Sequence, residues 1–217
     1  MSFIVENTST STEFTPVPPG LHLARCYRII DLGTQTSEYM GESKQLRKIM
    51  IGWELHGMDD NGKELVTSKG EPLAIFKNYT LSWGEKATLR KDMQSWRNKP
   101  FTEEEMRRFD ISAILGQWCM LNVIEYTSKN GKMYSNVASI APVPSVVKQA
   151  GLPKAHNPIQ LFRIAEPDIE LFQTFSRGTK EKIQASPEWQ AYQDRHGIQK
   201  SNMASSGFDD MEDDLPF

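Results

Sequence analysis

Apolar and polar positions divide the chain into segments of different period. From Leu21 to Leu32 the run LHLARCYRIIDL mixes β-branched, aromatic and basic residues and predicts a first strand. The polar stretch that follows, GTQTSEYMGESKQ, reads as a loop. Over residues 46–56 the pattern alternates: Ile49, Ile51, Trp53 and Leu55 share one face, and Lys48, Met50, Gly52 and Glu54 share the other. A strand with one buried and one open face has this period. MDDNGKE predicts a turn centred on Asn61-Gly62, and LAIFKNYTL predicts a third strand over 73–81. The period then lengthens. Ser82 and Glu85 have the spacing of a capping box, and Leu89, Met93 and Trp96 follow at helical intervals, with Lys86, Arg90, Lys91 and Arg97 on the remaining surface. A basic amphipathic helix opening at Ser82 is expected. Thr102 and Glu105 repeat the capping-box spacing, with Phe101 and Met106 placed for a hydrophobic staple. Two more strands, GQWCMLNVIEY and KMYSNVASIAPV, are joined across Thr127-Ser128-Lys129-Asn130-Gly131, where Asn-Gly signals a hairpin.

Three strands, a helix and two further strands within about 120 residues is the chain order of an OB-fold, a five-stranded Greek-key barrel with its helix between strands three and four. The expected class is therefore mainly β with some α. Residues 1–19, rich in Ser, Thr and Pro, read as an arm, and residues 20–143 as the barrel. Residues 144–197 read as an extended segment followed by helices, which open at Glu166-Pro167-Asp168 and Ser186-Pro187-Glu188. Residues 198–217 lack periodicity and are expected to be a disordered acidic tail.

Charge changes this picture. The formal charge is −3, but setting aside the five acids of 209–214 leaves +2 for the rest. A mildly basic body thus carries a segregated acidic block of the kind that serves as an interaction tail. The two cysteines, Cys26 and Cys119, lie far apart in apolar runs and suggest neither a disulfide framework nor a metal site. No secretory leader or apolar stretch of membrane-spanning length is read in the sequence, so a cytoplasmic location and no membrane partner are expected.

Enzymatic chemistry lacks its usual constellations. His22, His56, His156 and His196 have no metal-ligand spacing, and there is no phosphate-binding glycine loop. Glu103, Glu104 and Glu105 fit the first turn of a helix, where acids favour the dipole. No catalytic residue, metal or cofactor is expected. Aromatic and basic residues interleaved on strands and loops remain, and they suit single-stranded nucleic acid, which stacks its bases on rings inside a positive groove. In an OB-fold that groove lies on strands two and three, between the loop joining strands one and two and the loop joining strands four and five. On that basis the candidate contacts are Tyr39 and Lys44 in the first loop, Arg47 and Lys48 on strand two, and Lys77 and Tyr79 on strand three. Trp83 and Lys86 just beyond it, and Tyr126, Lys129, Lys132 and Tyr134 around the last hairpin, complete the set. Trp53, Trp96 and Trp118 are assigned to the core.

The stretch FDDMEDDLPF resembles the C-terminal tip of bacterial single-stranded DNA-binding proteins. The body is similar to phage-encoded members of that group in ISAILGQWCMLNVIEYTSKNGKMYSNVASIAPVP and EKIQASPEWQ. The resemblance implies an OB-fold protein that coats and protects single-stranded DNA during replication, recombination and repair, in the bacterial host cytoplasm if phage-encoded. It also implies that the tip docks on replication and recombination proteins. Phe217 and its carboxylate would anchor it, Leu215 and Pro216 would shape the apolar end, and Asp209, Asp210, Glu212, Asp213 and Asp214 would supply charge. A strand-annealing or recombination mediator is the alternative role, and a homo-oligomer is compatible with either.

Overall fold

The computed structural model describes residues 16–39, 42–128 and 131–197. The arm before residue 16 and the acidic tail lie outside the described residues, as does Lys129. β1 (Gly20–Tyr39), β2 (Glu42–His56) and β3 (Ala74–Thr80) form an antiparallel meander. α1 (Thr88–Arg97), α2 (Glu103–Arg108) and a 3-10 turn (Ile111–Ile114) follow, and then β4 (Trp118–Thr127) and β5 (Met133–Ala141). α3 (Ser145–Ala150), the short β6 (Gln160–Phe162), α4 (Ile169–Gln173), α5 (Arg177–Ala185) and α6 (Pro187–His196) complete the described chain. The strand order is β3-β2-β1-β4-β5. β3 and β5 approach each other but are not paired as strands, so the sheet stays partly open.

β1 organises the molecule. One edge pairs with β2; the other pairs with β4 over residues 20–25 and with β6, in parallel, over residues 28–30. Its two faces serve two hydrophobic cores. Ala24, Cys26 and Ile29 enter an inner core with Ile51, Trp53 and Leu121, closed by Leu89, Met93 and Trp96 of α1. Ile30 and Leu32 enter an outer core with Phe162, Phe172, Phe175, Ile183 and Trp189. A strand covered on both faces reads as a continuous apolar run, which is why the β1 sequence does not alternate cleanly.

Two polar clamps hold the C-terminal segment on the sheet. Glu54, fully buried, accepts hydrogen bonds from the Asn157 backbone N (2.7 Å), Asn157 Nδ2 (2.7 Å) and the His156 backbone N (3.2 Å). Arg25 lies 3.2 Å away and also donates to the Asn157 carbonyl. Burial alone would raise the Glu54 pKa, but the hydrogen bonds from Asn157, His56 and His156 outweigh it and hold the carboxyl at about 2. In the second clamp Arg47 donates to both oxygens of Asp31 and to Glu188 Oε1 (2.6 Å), while Thr34 donates to Glu188 through its backbone N and its hydroxyl. Gly33 makes room for this docking: its φ is +73°, and a Cβ there would sit 2.4 Å from the Ser186 Cβ.

Several expectations need correction. The polar stretch from Gly33 to Gln45 is mostly strand, because β1 and β2 continue as a two-stranded ribbon whose polar side chains leave no apolar alternation to read. The Ser82 capping box does not form. Ser82 Oγ accepts from the Gly84 N in a local turn, and α1 starts six residues later, after Ala87, without a side-chain cap. The Thr102 box forms in full, with Thr102 Oγ1 accepting from the Glu105 N and Glu105 accepting from the Thr102 N. Trp118 is half-buried outside the inner core, its ring 4.9 Å from that of His56, whereas Trp53 and Trp96 are core as expected. Asp168 caps α4, so Pro167 precedes the cap instead of occupying the first helical position. Ser186 caps α6 with Pro187 at its start, as the sequence suggests.

Candidate nucleic-acid interface

The β2–β3 register sorts side chains between the two faces of the sheet. Ile49↔Tyr79, Ile51↔Lys77 and Trp53↔Ile75 point inward; Lys48↔Thr80, Met50↔Asn78 and Gly52↔Phe76 point outward. At the centre of the outer face the Phe76 ring occupies the space above Gly52, where a Cβ would come within 2.4 Å of Phe76 Cε1. Glycine inside a strand marks such close approaches. Phe76 stays 38% exposed, so its ring keeps solvent contact. The Arg28 guanidinium sits between three rings, 5.3 Å from Tyr27, 5.9 Å from Phe76 and 5.7 Å from Phe175, and is held by the Gln160 side chain. Lys48 is half-exposed and makes no ion pair among the described residues. An exposed ring with a cation behind it can take a planar group, and Lys48, four residues along the same face of β2 from Gly52, can take an anion farther along.

The candidate contacts chosen from the sequence scatter across this geometry. Tyr79 is 2% exposed and its hydroxyl donates to Asp92 (2.8 Å), which leaves no ring face for a ligand; burial, then the Asp92 charge, push its pKa well up. Lys77 also points inward, donating to Asp92 Oδ2 and to the Val137 carbonyl of β5, each at 2.9 Å. Both belong to the inner face because they share the parity of Ile75. Arg47 is committed to the Asp31–Glu188 clamp. Trp83 packs on Phe101 and Phe109, with centroids 5.0 and 5.3 Å away, at the edge of the inner core. Lys86 is exposed, and Lys44 is exposed beside Glu42.

Tyr39 ends β1 at the tip of the ribbon. Tyr126 and Tyr134, cross-strand partners in the β4–β5 hairpin, stack with centroids 5.7 Å apart, and Lys132 beyond them is exposed. Gly20 pairs with Val123, so that hairpin runs past the start of β1 while the Lys44 ribbon runs past its end. The two hairpins therefore extend from opposite ends of β1. No protein-family model and no curated protein matches this chain.

Phe76 and Arg28 were missed in the sequence, and the reason is parity. LAIFKNYTL offers two alternating sets, and its basic and tyrosine residues fall in the set that faces inward. Gly52 was the available signal, since a glycine among Ile49, Ile51, Trp53 and Leu55 implies that something large crosses above it. Arg28 carried no such signal, because its role depends on Phe175 and Gln160, far along the chain. No group of three or more His, Cys, Asp or Glu among the described residues is placed to hold a metal ion. No helix among them is long and apolar enough to cross a membrane.

Proposed function

We propose that this chain binds single-stranded DNA without sequence preference through an OB-type sheet, and that residues 209–217 bring replication, recombination and repair proteins to it. The observation that carries this reading is the outer face of β2 and β3, where Phe76 lies open over Gly52 with Arg28 behind it and Lys48 four residues along β2 on the same face. Every base has a flat face, so stacking tolerates any sequence and contributes roughly 1–3 kcal/mol per base. Lys48, with Lys44 and Lys132 on the hairpins at either end of β1, supplies charge for phosphates. The order β3-β2-β1-β4-β5, with α1 and α2 between β3 and β4, supports an OB-fold left open between β3 and β5.

Tryptophan fluorescence is a poor reporter here, since the described face carries no tryptophan. Anisotropy of a labelled oligothymidine is the better measurement. Binding is expected to weaken steeply between about 50 and 200 mM salt as counterions are released from the phosphates. Absence of binding at the lower salt, or an affinity indifferent both to salt and to Phe76→Ala, would remove this reading.

A further inference from the structure

One row of residues crosses four strands of the sheet. Gln160 of β6 pairs with Arg28 of β1, Arg28 pairs with Gly52 of β2, and Gly52 pairs with Phe76 of β3. The β1–β2 register shifts between Cys26 and Arg28, so Tyr27 has no partner in β2 and the strand is re-aimed at this point. Gly52 leaves the middle of the row without a side chain. Phe76 enters that space, and its ring centroid lies 5.9 Å from the Arg28 guanidinium. The buried rings of Tyr27 and Phe175 lie 5.3 and 5.7 Å from the same guanidinium, yet Arg28 is only half-buried and keeps contact with solvent.

The partners of this guanidinium set it apart from three other arginines. Arg25 meets Glu54, Arg47 meets Asp31 and Glu188, and Arg97 meets Glu105, whereas Arg28 meets no carboxylate among the described residues. Its Nε donates to the neutral Oε1 of Gln160, and its Nη1 and Nη2 have no hydrogen-bond partner among the described residues. A neutral amide fixes the plane of the guanidinium without cancelling its charge. The end of the fork is left for an anion that presents two oxygens side by side, which is the geometry of a phosphate. Phe76 then says which phosphate. A strand that stacks a base on this ring carries its backbone past the ring's margin, and Arg28 is the cation next to Phe76 in the row.

We propose that Arg28 takes the phosphate of the nucleotide stacked on Phe76, and that Gln160 of β6 is the positioning residue that orients Arg28 while leaving its charge uncancelled. The inference rests on the nucleic-acid reading and deepens it: the short strand β6, which lies off the β3-β2-β1-β4-β5 path, becomes part of the interface. A glutamate at 160 would hold Nε as well as glutamine does, but it would neutralise the guanidinium, so the amide is the choice that serves an incoming anion.

The test follows oligothymidine anisotropy over a series of salt concentrations, with the full chain throughout. Arg28→Met should weaken binding about tenfold, as expected for a hydrogen bond to a charged group. It should also lower the slope of log affinity against log salt by about 0.7, one phosphate's share for a single strand. Gln160→Glu should do the same with the fold intact by urea unfolding. A residue that only held β6 on β1 would accept glutamate without loss of binding or slope. Gln160→Met, which has neither acceptor nor charge, should weaken binding less than Gln160→Glu and leave the slope unchanged. In the Arg28→Met background Gln160→Glu should add less than about twofold, since its effect runs through Arg28. An equal loss on both backgrounds would mark a bystander charge and overturn the proposal. So would an unaltered slope in Arg28→Met or full binding by Gln160→Glu, and in either case salt-dependent binding that still responds to Phe76→Ala would keep the nucleic-acid reading. Absence of binding by every form at about 50 mM salt would remove both. If Arg28→Met fails to fold, the slope of Gln160→Glu against that of Gln160→Met decides.

Discussion

The inner and outer cores share β1 but are built differently. The inner one draws on four further strands and α1, so each side chain is enclosed by neighbours from several elements. The outer one rests on a few large rings: Phe172 stacks on Trp189 at 4.6 Å, and Phe162 and Phe175 meet edge to face at 5.1 Å. It also depends on polar clamps, Glu54 beneath the segment that leads to β6 and Glu188 beneath the ribbon. The difference teaches that the segment from β6 to α6 forms the second wall of β1. The same layer supplies Phe175 and Gln160, which place Arg28 behind Phe76.

The most damaging way to break this comparison is to remove a ring from the outer core. Trp189→Ala should cost about 3–5 kcal/mol, the usual range for deleting a buried aromatic. Because β1 serves both cores, urea unfolding followed by far-ultraviolet circular dichroism and by tryptophan fluorescence should still give coincident transitions. Separated transitions would mean that the outer layer unfolds by itself.

Acid should loosen the clamps next. The Glu54 carboxyl is held at about 2 against an ordinary value of 4.5, so its contribution is complete above pH 4.5 and is lost as the pH falls towards 2. That loss amounts to about 3 kcal/mol by linkage. Glu188 is also held at about 2, where burial, which would raise it, is outweighed by the Thr34 hydrogen bonds and the Arg47 charge. It should act in the same direction but less strongly, being partly exposed. Urea midpoints at a series of pH values check the slope, which should flatten in Glu54→Gln even though that variant starts less stable with Arg25 left unpaired.

Two smaller effects sharpen the contrast between the faces of the sheet. Phe76→Ala on the outer face should weaken oligothymidine binding by roughly 1–3 kcal/mol with little change in stability. Tyr79→Phe on the inner face should do the reverse, lowering stability by about 1 kcal/mol through its lost hydrogen bond to Asp92 and leaving binding alone. Smallest of all, Lys48→Ala should reduce the slope of log affinity against log salt by about 0.7, one phosphate's share for a single strand.

Much of the fold was legible because strands one-side buried announce themselves. The Ile49–Leu55 alternation located β2, and the Thr102 capping box located α2. The ribbon from Gly33 to Gln45 was illegible, since its pairing depends on the partner strand and not on a buried face. The site was harder still. Strand periodicity separates two faces without saying which one a sparse strand such as β3 turns inward; that choice falls to Asp92 on α1, which draws in both Lys77 and Tyr79. Arg47 looked like a groove cation because its partners, Asp31 and Glu188, lie 16 and 141 residues away.

The Lys77 ammonium that reaches across to the Val137 carbonyl has a consequence for assembly. A sheet with two unpaired edge strands is a template for recruiting other chains and eventually for aggregation. Here the β3 and β5 edges face each other, and a charged side chain spans the gap, so an incoming strand would have to strip Lys77 from both Asp92 and Val137 before it could pair. The sheet is thus guarded against polymerisation at its open seam without being sealed.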